Sequence, residues 1–178
     1  MIWFTSDLHF GHRGIIAMKN RPFRNADEMN RCLLANYNAV VRRDDTVYLL
    51  GDLCHHMTVE AANAVIARMN GRKYLLTGNH DRNYNPDLFC GIRDFMTVSL
   101  SGQEFVLMHY PMLSWHGSGR GSLMVHGHIH NNTNADYWPY LQSHPNILNA
   151  GVDVNGFMPA TLDELIANNA RFKDNLAG

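Results

Sequence analysis

The chain is poor in the features that mark a disulfide scaffold, a membrane protein or a polyelectrolyte binder. It has three cysteines in 178 residues: Cys32, Cys54 and Cys90. They are odd in number, far apart and form no CxxC pair, so neither a disulfide framework nor a thiolate zinc site is suggested. No apolar run approaches the ~20 residues of a membrane span. Charge of one sign is also missing. Fifteen basic and 16 acidic side chains leave a formal net charge of −1, which gives no electrostatic case for a dedicated binder of duplex nucleic acid or of a membrane surface. Internal repeats and low-complexity tracts are absent. The opening MIWFTSD has no basic region ahead of its apolar run, so a signal peptide is not expected. A soluble protein in a reducing, cytoplasmic setting is the expectation.

What the chain does have is histidine. There are 11, clustered as His9/His12, His55/His56 and His126/His128/His130. Apolar residues make up 46% of the chain, enough for a sizeable core, and the length suits one domain over residues 1–178.

Helical periodicity and caps place three helices. Residues 26–41 repeat apolar positions at Met29, Leu33, Tyr37, Val40 and Val41, with Asn25 as N-cap, Glu28 three residues on, and Arg42 and Arg43 suited to the C-terminal dipole. Residues 59–69 do the same at Val59, Ala62, Ile66 and Met69, between Thr58 as cap and Gly71 as stop. TLDELIANNA opens with a Thr161–Glu164 capping box.

Five short runs read as strands: MIWFT (1–5), TVYLL (46–50), KYLLT (73–77), EFVLM (104–108) and SLMV (122–125). They are densely apolar rather than alternating, which suits strands covered on both faces. Helices separate the first three, so a parallel βαβαβ order is expected there. The fourth follows a hairpin turn at Ser101-Gly102, so antiparallel strands are expected after the parallel units. Residues 131–146 are polar and turn-rich with embedded aromatics, and read as a long functional loop.

Each run ends in groups able to bind metal. After the first come Asp7 and His9; after the second, Gly51 and Asp52. After the third come Gly78, Asn79, His80 and Asp81; after the fourth, His109; after the fifth, His126, Gly127, His128, Ile129 and His130. Parallel strands share one carboxyl edge, where open α/β sheets build their sites. In extended chain, residues two apart point the same way, so Asp7 with His9, and His128 with His130, can each offer two donors to one side. Two carboxylates, one amide and four imidazoles are too many for one tetrahedral zinc. They suit two first-row divalent ions bridged by a carboxylate. Each piece alone is weak, because Asp-Gly and Gly-Asn are ordinary turn chemistry. The combination at five strand ends is the signal.

In this order the blocks Asp7-Leu8-His9, Gly51-Asp52, Gly78-Asn79-His80-Asp81, His109 and Gly127-His128-Ile129-His130 resemble the calcineurin-like metallophosphoesterase family. SDLHFGH is similar to its small bacterial and phage members. The resemblance implies an α/β fold: a four-layer α-β-β-α sandwich of two mixed sheets flanked by helices. It implies that Asp7, His9 and His130 hold one metal, that Asn79, His109 and His128 hold a second, and that Asp52 bridges them. The ions would be Mn²⁺, Fe, Ni²⁺ or Zn²⁺ in preference to Mg²⁺. His80 would act on the phosphate and leaving group rather than on a metal.

The expected activity is hydrolysis of a phosphodiester or phosphomonoester, the diester favoured, by hydroxide generated at the metal pair. The substrate would be a small phosphate ester, nucleotides included. A non-catalytic scaffold of the same fold is the alternative, and it predicts erosion of His80 or the ligands, which this sequence does not show. Nuclease activity on short or single-stranded nucleic acid is the other. His12, Arg13, His55, His56 and Arg82 stand beside ligand loops as candidate phosphate contacts. Trp115, His116, Tyr137 and Trp138 are candidates to line a pocket, and Met108, Met112 and Met124 read as core filler. Asp81 is either a partner of His80 or a holder of the turn.

Overall fold

A computed structural model describes residues 1–174. Two four-stranded sheets pack face to face. The first orders β1 (Ile2–Thr5), β2 (Thr46–Leu49), β3 (Arg72–Leu76) and β4 (Gly91–Arg93), all parallel. Between β1 and β2 lie α1 (Arg13–Met18) and α2 (Ala26–Val40); between β2 and β3 lies α3 (Val59–Ala67). The second sheet orders β5 (Phe95–Leu100), β6 (Gln103–Met108), β7 (Leu123–His126) and β8 (Ile147–Asn149). α4 (Trp138–Ser143) precedes β8, and α5 (Leu162–Asp174) follows it.

The helices begin where their caps dictate. Asn25 accepts the backbone N–H of Glu28 and Thr58 that of Ala61. The Glu28 carboxylate receives Arg24 rather than closing back on Asn25. α2 ends at Val40, so Arg42 and Arg43 lie past its last turn and do not serve its dipole. Glu164 closes on the backbone and hydroxyl of Thr161, as the capping-box reading expects.

β5 and β6 form the expected hairpin, its two-residue turn made by Ser101 and Gly102, both at positive φ. The antiparallel pattern stops there. β6 pairs parallel with β7, and β7 with β8. The long segments before β7 and β8 act as crossovers, which parallel pairing requires. β4 and β8 are three residues each, too short to stand out from the surrounding polar sequence. The 131–146 tract is not a bare loop: it contains α4, whose Trp138 and Leu141 are buried.

Three cores separate the layers. Phe4, Tyr48, Leu50 and Leu76 of the first sheet meet Phe105, Leu107, Val125 and Leu148 of the second, with Phe4 stacked on Phe105 at 5.6 Å. Trp3, Val47, Leu49 and Leu75 face outward against Leu33, Tyr37 and Ile66 of α2 and α3. Val106, Met124 and Ile147 face outward against Trp115, Trp138, Leu141 and Phe172. Alternate residues of one strand thus enter different cores, and the strands need apolar residues on both faces. The chain leaving β8 crosses to β1 through paired Ser6–Gly151 and Phe4–Ala160. That crossing joins the carboxyl ends of the two sheets along one edge.

Candidate metal centre

The seven sequence-assigned donors meet on that edge. Ring nitrogens or carboxylate oxygens of Asp7, His9 and His130 lie within 4.8 Å of one another, as do those of Asp52, His109 and His128. Asp52 stands between the groups. Its Oδ2 is 3.5 Å from His9 Nε2, 3.4 Å from His109 Nε2 and 4.0 Å from His80 Nε2. Asn79 Oδ1 joins the second group, 3.2 Å from His109 Nε2 and 3.1 Å from His128 Nδ1, and it also accepts the Tyr110 hydroxyl at 3.3 Å.

The loops achieve this differently from a pleated strand. Asp7, His9, Asp52, His128 and His130 all have φ between +51° and +69°. Side chains two apart converge because their residues are in the left-handed region, not because the backbone is extended. Such conformations cost of order 1–3 kcal/mol each and persist only where the surroundings over-determine them. Asp7 is fixed by accepting the His128 N–H on both carboxylate oxygens, at 3.1 and 3.0 Å. Close backbone approach needs glycine at two points. A methyl group on Gly78 would overlap Asp52 Oδ1, and one on Gly127 would overlap Ser6 Oγ.

Two of the four imidazoles, His109 and His130, are held from behind. His109 Nδ1 is 2.7 Å from the Leu50 carbonyl and donates its proton there, which leaves Nε2 as the nitrogen that faces Asp52. His130 Nδ1 is 2.7 Å from Asp153 Oδ2, and Asp153 is gripped by Arg21 through Nε and Nη2 at 2.8 and 2.9 Å. Arg21 also donates to the carbonyls of Asp7 and Leu8. Arg21 and Asp153 are sequence misses. Asp153 had a signal: ILNAGVD is one more apolar run that ends in glycine and a carboxylate. Carboxylate–imidazole pairs of this kind raise ligand basicity. Replacing Asp153 with Asn is therefore expected to weaken metal binding ~10–100-fold. It should also destabilise the fold by roughly 3–5 kcal/mol, because the Arg21 charge stays buried without its partner. Metal titration and urea unfolding read the two effects separately.

The donors fit divalent cations. His9 Nε2 is buried with no hydrogen-bond partner, an orphan that a coordinated ion would satisfy. Burial first, then the neighbouring His130, push the His9 pKa down to about 2, so its lone pair is available. Burial raises Asp7 above the usual carboxylate range. Burial also opposes ionisation of Asp52, but His109, the His80 backbone N–H and His9 outweigh it and hold it well below that range. His109 goes the other way. Burial lowers it, yet its hydrogen bond to Asp52 and the charges of Asp7 and Asp52 lift it to about 9. A group whose folded pKa lies above its unfolded value, near 6.5 for histidine, stabilises the fold fully below that value and loses the contribution as pH rises through the folded pKa. Metal-free protein is accordingly expected to lose stability, on the order of a few kcal/mol, between pH 6.5 and 9. Urea midpoints across that range measure it; a flat profile rules out the His109–Asp52 pair as its source.

His80 is not one of the seven assigned donors, although a ring nitrogen of it lies within 4.8 Å of ring nitrogens of His9 and His55. Its side chain is 33% exposed, and its backbone N–H donates to Asp52 Oδ1 at 2.9 Å. Asp81 does not touch it. The Asp81 carboxylate accepts the N–H groups of Gly78, Asp52 and Leu53 and the Tyr84 hydroxyl, all between 2.8 and 2.9 Å. It holds the turn. Arg13 and Arg82 are exposed. Trp115 and Trp138 are core residues, the first bonded to Ser122. His116 lies near Arg120. Tyr137 alone of those aromatics lines a hollow, of about 300 Å³, with Tyr110, Pro111, Leu113, His128 and Leu141. A second hollow of about 160 Å³ is walled by His55, His56, His80 and Arg82 among others.

A family model described as calcineurin-like phosphoesterase matches residues 1–171. The chain belongs to the calcineurin-like phosphoesterase family, a family of phosphoester hydrolases. It is 34% identical over 166 residues to an uncharacterised protein of Methanocaldococcus jannaschii, covering 93% of this chain and 89% of that one. It is 30% identical over 159 residues to the gene 66 protein of Mycobacterium phage L5, covering 72% and 76%. A solved structure of a protein of unknown function from Aquifex aeolicus is similar with a TM-score of 0.74 at 26% identity, covering 92% of this chain and 96% of that one. Among the described residues no helix is long and apolar enough to cross a membrane.

Proposed function

We propose that the protein is a dinuclear-metal-dependent phosphoesterase that hydrolyses phosphodiesters in preference to monoesters. The observation that carries the reading is the position of Asp52, one oxygen of which faces both donor groups at 3.4–3.5 Å. Asp7, His9 and His130 would hold one ion; Asn79, His109 and His128 the other; Asp52 both. Four imidazoles in a set with no thiolate suit Mn²⁺, Fe, Ni²⁺ or Zn²⁺ better than Mg²⁺, which prefers oxygen donors. Such ions, when bound, supply a nucleophilic water of lowered pKa and neutralise charge on the phosphoryl oxygens.

The chain's own groups do the rest. Leu50 and Asp153 hold Nδ1 of His109 and His130, so Nε2 is the nitrogen each would offer an ion. His80 points at the same edge, with a ring nitrogen free to deliver a proton to the leaving oxygen. The two hollows support diester chemistry. One is aromatic and includes the donor His128, the other is imidazole-rich and includes His80, and a diester carries two organic groups to seat. A non-catalytic scaffold would leave the half-exposed His80 without a use.

The test is hydrolysis of a phosphodiester and a phosphomonoester side by side after reconstitution with Mn²⁺, Ni²⁺, Zn²⁺ and Mg²⁺. The diester should turn over faster, and Mg²⁺ should be the weakest activator. Hydrolysis of neither ester with any ion would sink the enzyme reading.

A further inference from the structure

Beside the seven donors lies another concentration of imidazoles. His12 precedes α1, and His55 and His56 lie on the loop between Asp52 and α3. One ring nitrogen from each of the three lies within 4.8 Å of the other two. Ring centroids are 4.3 Å apart for His12–His55, 3.9 Å for His55–His56 and 5.5 Å for His12–His56. Among the described residues the hydrogen bond made by these rings is between His12 Nδ1 and His9 Nδ1, at 3.3 Å. The rings of His55 and His56 have none. Three polar rings gathered tilted and edge-on at the surface gain nothing from core packing, and no carboxylate sits among them.

We infer that His12, His55 and His56 form a third divalent-cation site, separate in its donors from the Asp7–His130 centre. The donor chemistry sets the ion. Three nitrogens and no oxygen favour Zn²⁺, Co²⁺ or Ni²⁺ and disfavour Mg²⁺ and Ca²⁺. Tetrahedral coordination at Zn–N distances of about 2.0–2.1 Å brings nitrogens to roughly 3.4 Å from one another. His56 is exposed and at positive φ on an open loop, so its ring has room to close that gap. Three protein ligands leave a fourth position open, as in catalytic rather than structural zinc sites. His55 and His56 wall the hollow that also holds His80 and Arg82. A fourth ligand would be drawn from the space next to the proposed general acid, and an anionic oxygen of the substrate would suit it.

Counting metal tests this without relying on turnover. Protein stripped with chelator, loaded with Zn²⁺ and dialysed should retain three ions per chain. The His55→Ala/His56→Ala variant should retain two. Asp52→Asn should lose the central pair yet keep one ion, which the two alanines then remove. His56→Gln alone, at an exposed position that leaves the fold intact, should weaken the third equivalent at least ~10-fold. With Co²⁺ the third equivalent should give a tetrahedral visible spectrum that the same variants abolish. Two ions in the parent, unchanged in His56→Gln and in the double alanine, would overturn the site whatever Asp52→Asn does. So would inorganic phosphate binding to metal-free parent, lost in the double variant, with no third metal in either. Loss of one ion in the double variant with full retention in Asp52→Asn would instead leave the third site standing and remove the bridging role of Asp52.

Discussion

Asp52→Asn should bind less metal and lose phosphoesterase turnover by on the order of 10³-fold or more, at the upper end of what removing one preorganised electrostatic group costs. The substitution keeps the shape of the side chain, and the amide oxygen still accepts the His80 N–H now received by Oδ1. The lost element is the charge on Oδ2, the atom 3.5 Å from His9 Nε2 and 3.4 Å from His109 Nε2. Two dications held close together repel, and a single anionic oxygen between them is the group that makes joint occupancy favourable. Both ions should therefore weaken together, whereas loss of His9 should weaken chiefly one. Metal content after dialysis decides the matter. A variant as metal-rich as the parent would show that Asp52 bridges nothing. The substitution has a side effect in metal-free protein: His109 loses its main support against burial, and its pKa should fall toward the ordinary histidine range.

His80→Ala should keep its full metal complement and lose turnover roughly 10²–10⁴-fold, the usual contribution of a positioned general acid. His80 lies 4.0 Å from Asp52 Oδ2, too far to share its proton, and it is not in either donor triad. The size of the loss should depend on the ester. A nitrophenolate departs without help, so a nitrophenyl ester should be hydrolysed almost as well by the variant. An alkyl ester, whose leaving oxygen must take a proton, should suffer most. Equal losses on both would mean that His80 binds the phosphoryl oxygens rather than protonating the leaving group. Undiminished turnover on both would remove it from the reaction.

The donors were legible before the fold because each sits immediately after a dense apolar run, and glycine beside them marks a sharp departure from the strand. The parallel order of β1–β3 followed from helices between them. The second sheet was harder. Nothing local distinguishes a parallel β6–β7 from an antiparallel pair, since the difference lies in the path of a 14-residue segment (residues 109–122). β4 and β8 are held by their neighbours rather than by their own pattern, and α4 hides in a polar tract because only Trp138 and Leu141 face inward. Arg21 escaped because a buried ion pair depends on two distant loops meeting, which no spacing reveals; the glycine–carboxylate ending of ILNAGVD was the one trace of Asp153. The left-handed backbone at five donors was invisible for a related reason: Asp and His tolerate it well enough to occupy it without glycine.

The Arg21–Asp153 contact has a kinetic consequence. Its partners are 132 residues apart, and Asp153 lies past the last strand of the second sheet. The edge that gathers the candidate donors cannot be completed until β8 has docked and the chain has crossed back to β1. Contacts of such long sequence separation form late, after the loop entropy of the intervening chain has been overcome. Metal affinity should therefore arise as the final event of folding. The ions would act as a latch on the finished sandwich, so that a nascent chain lacking its last strand remains unable to hold them.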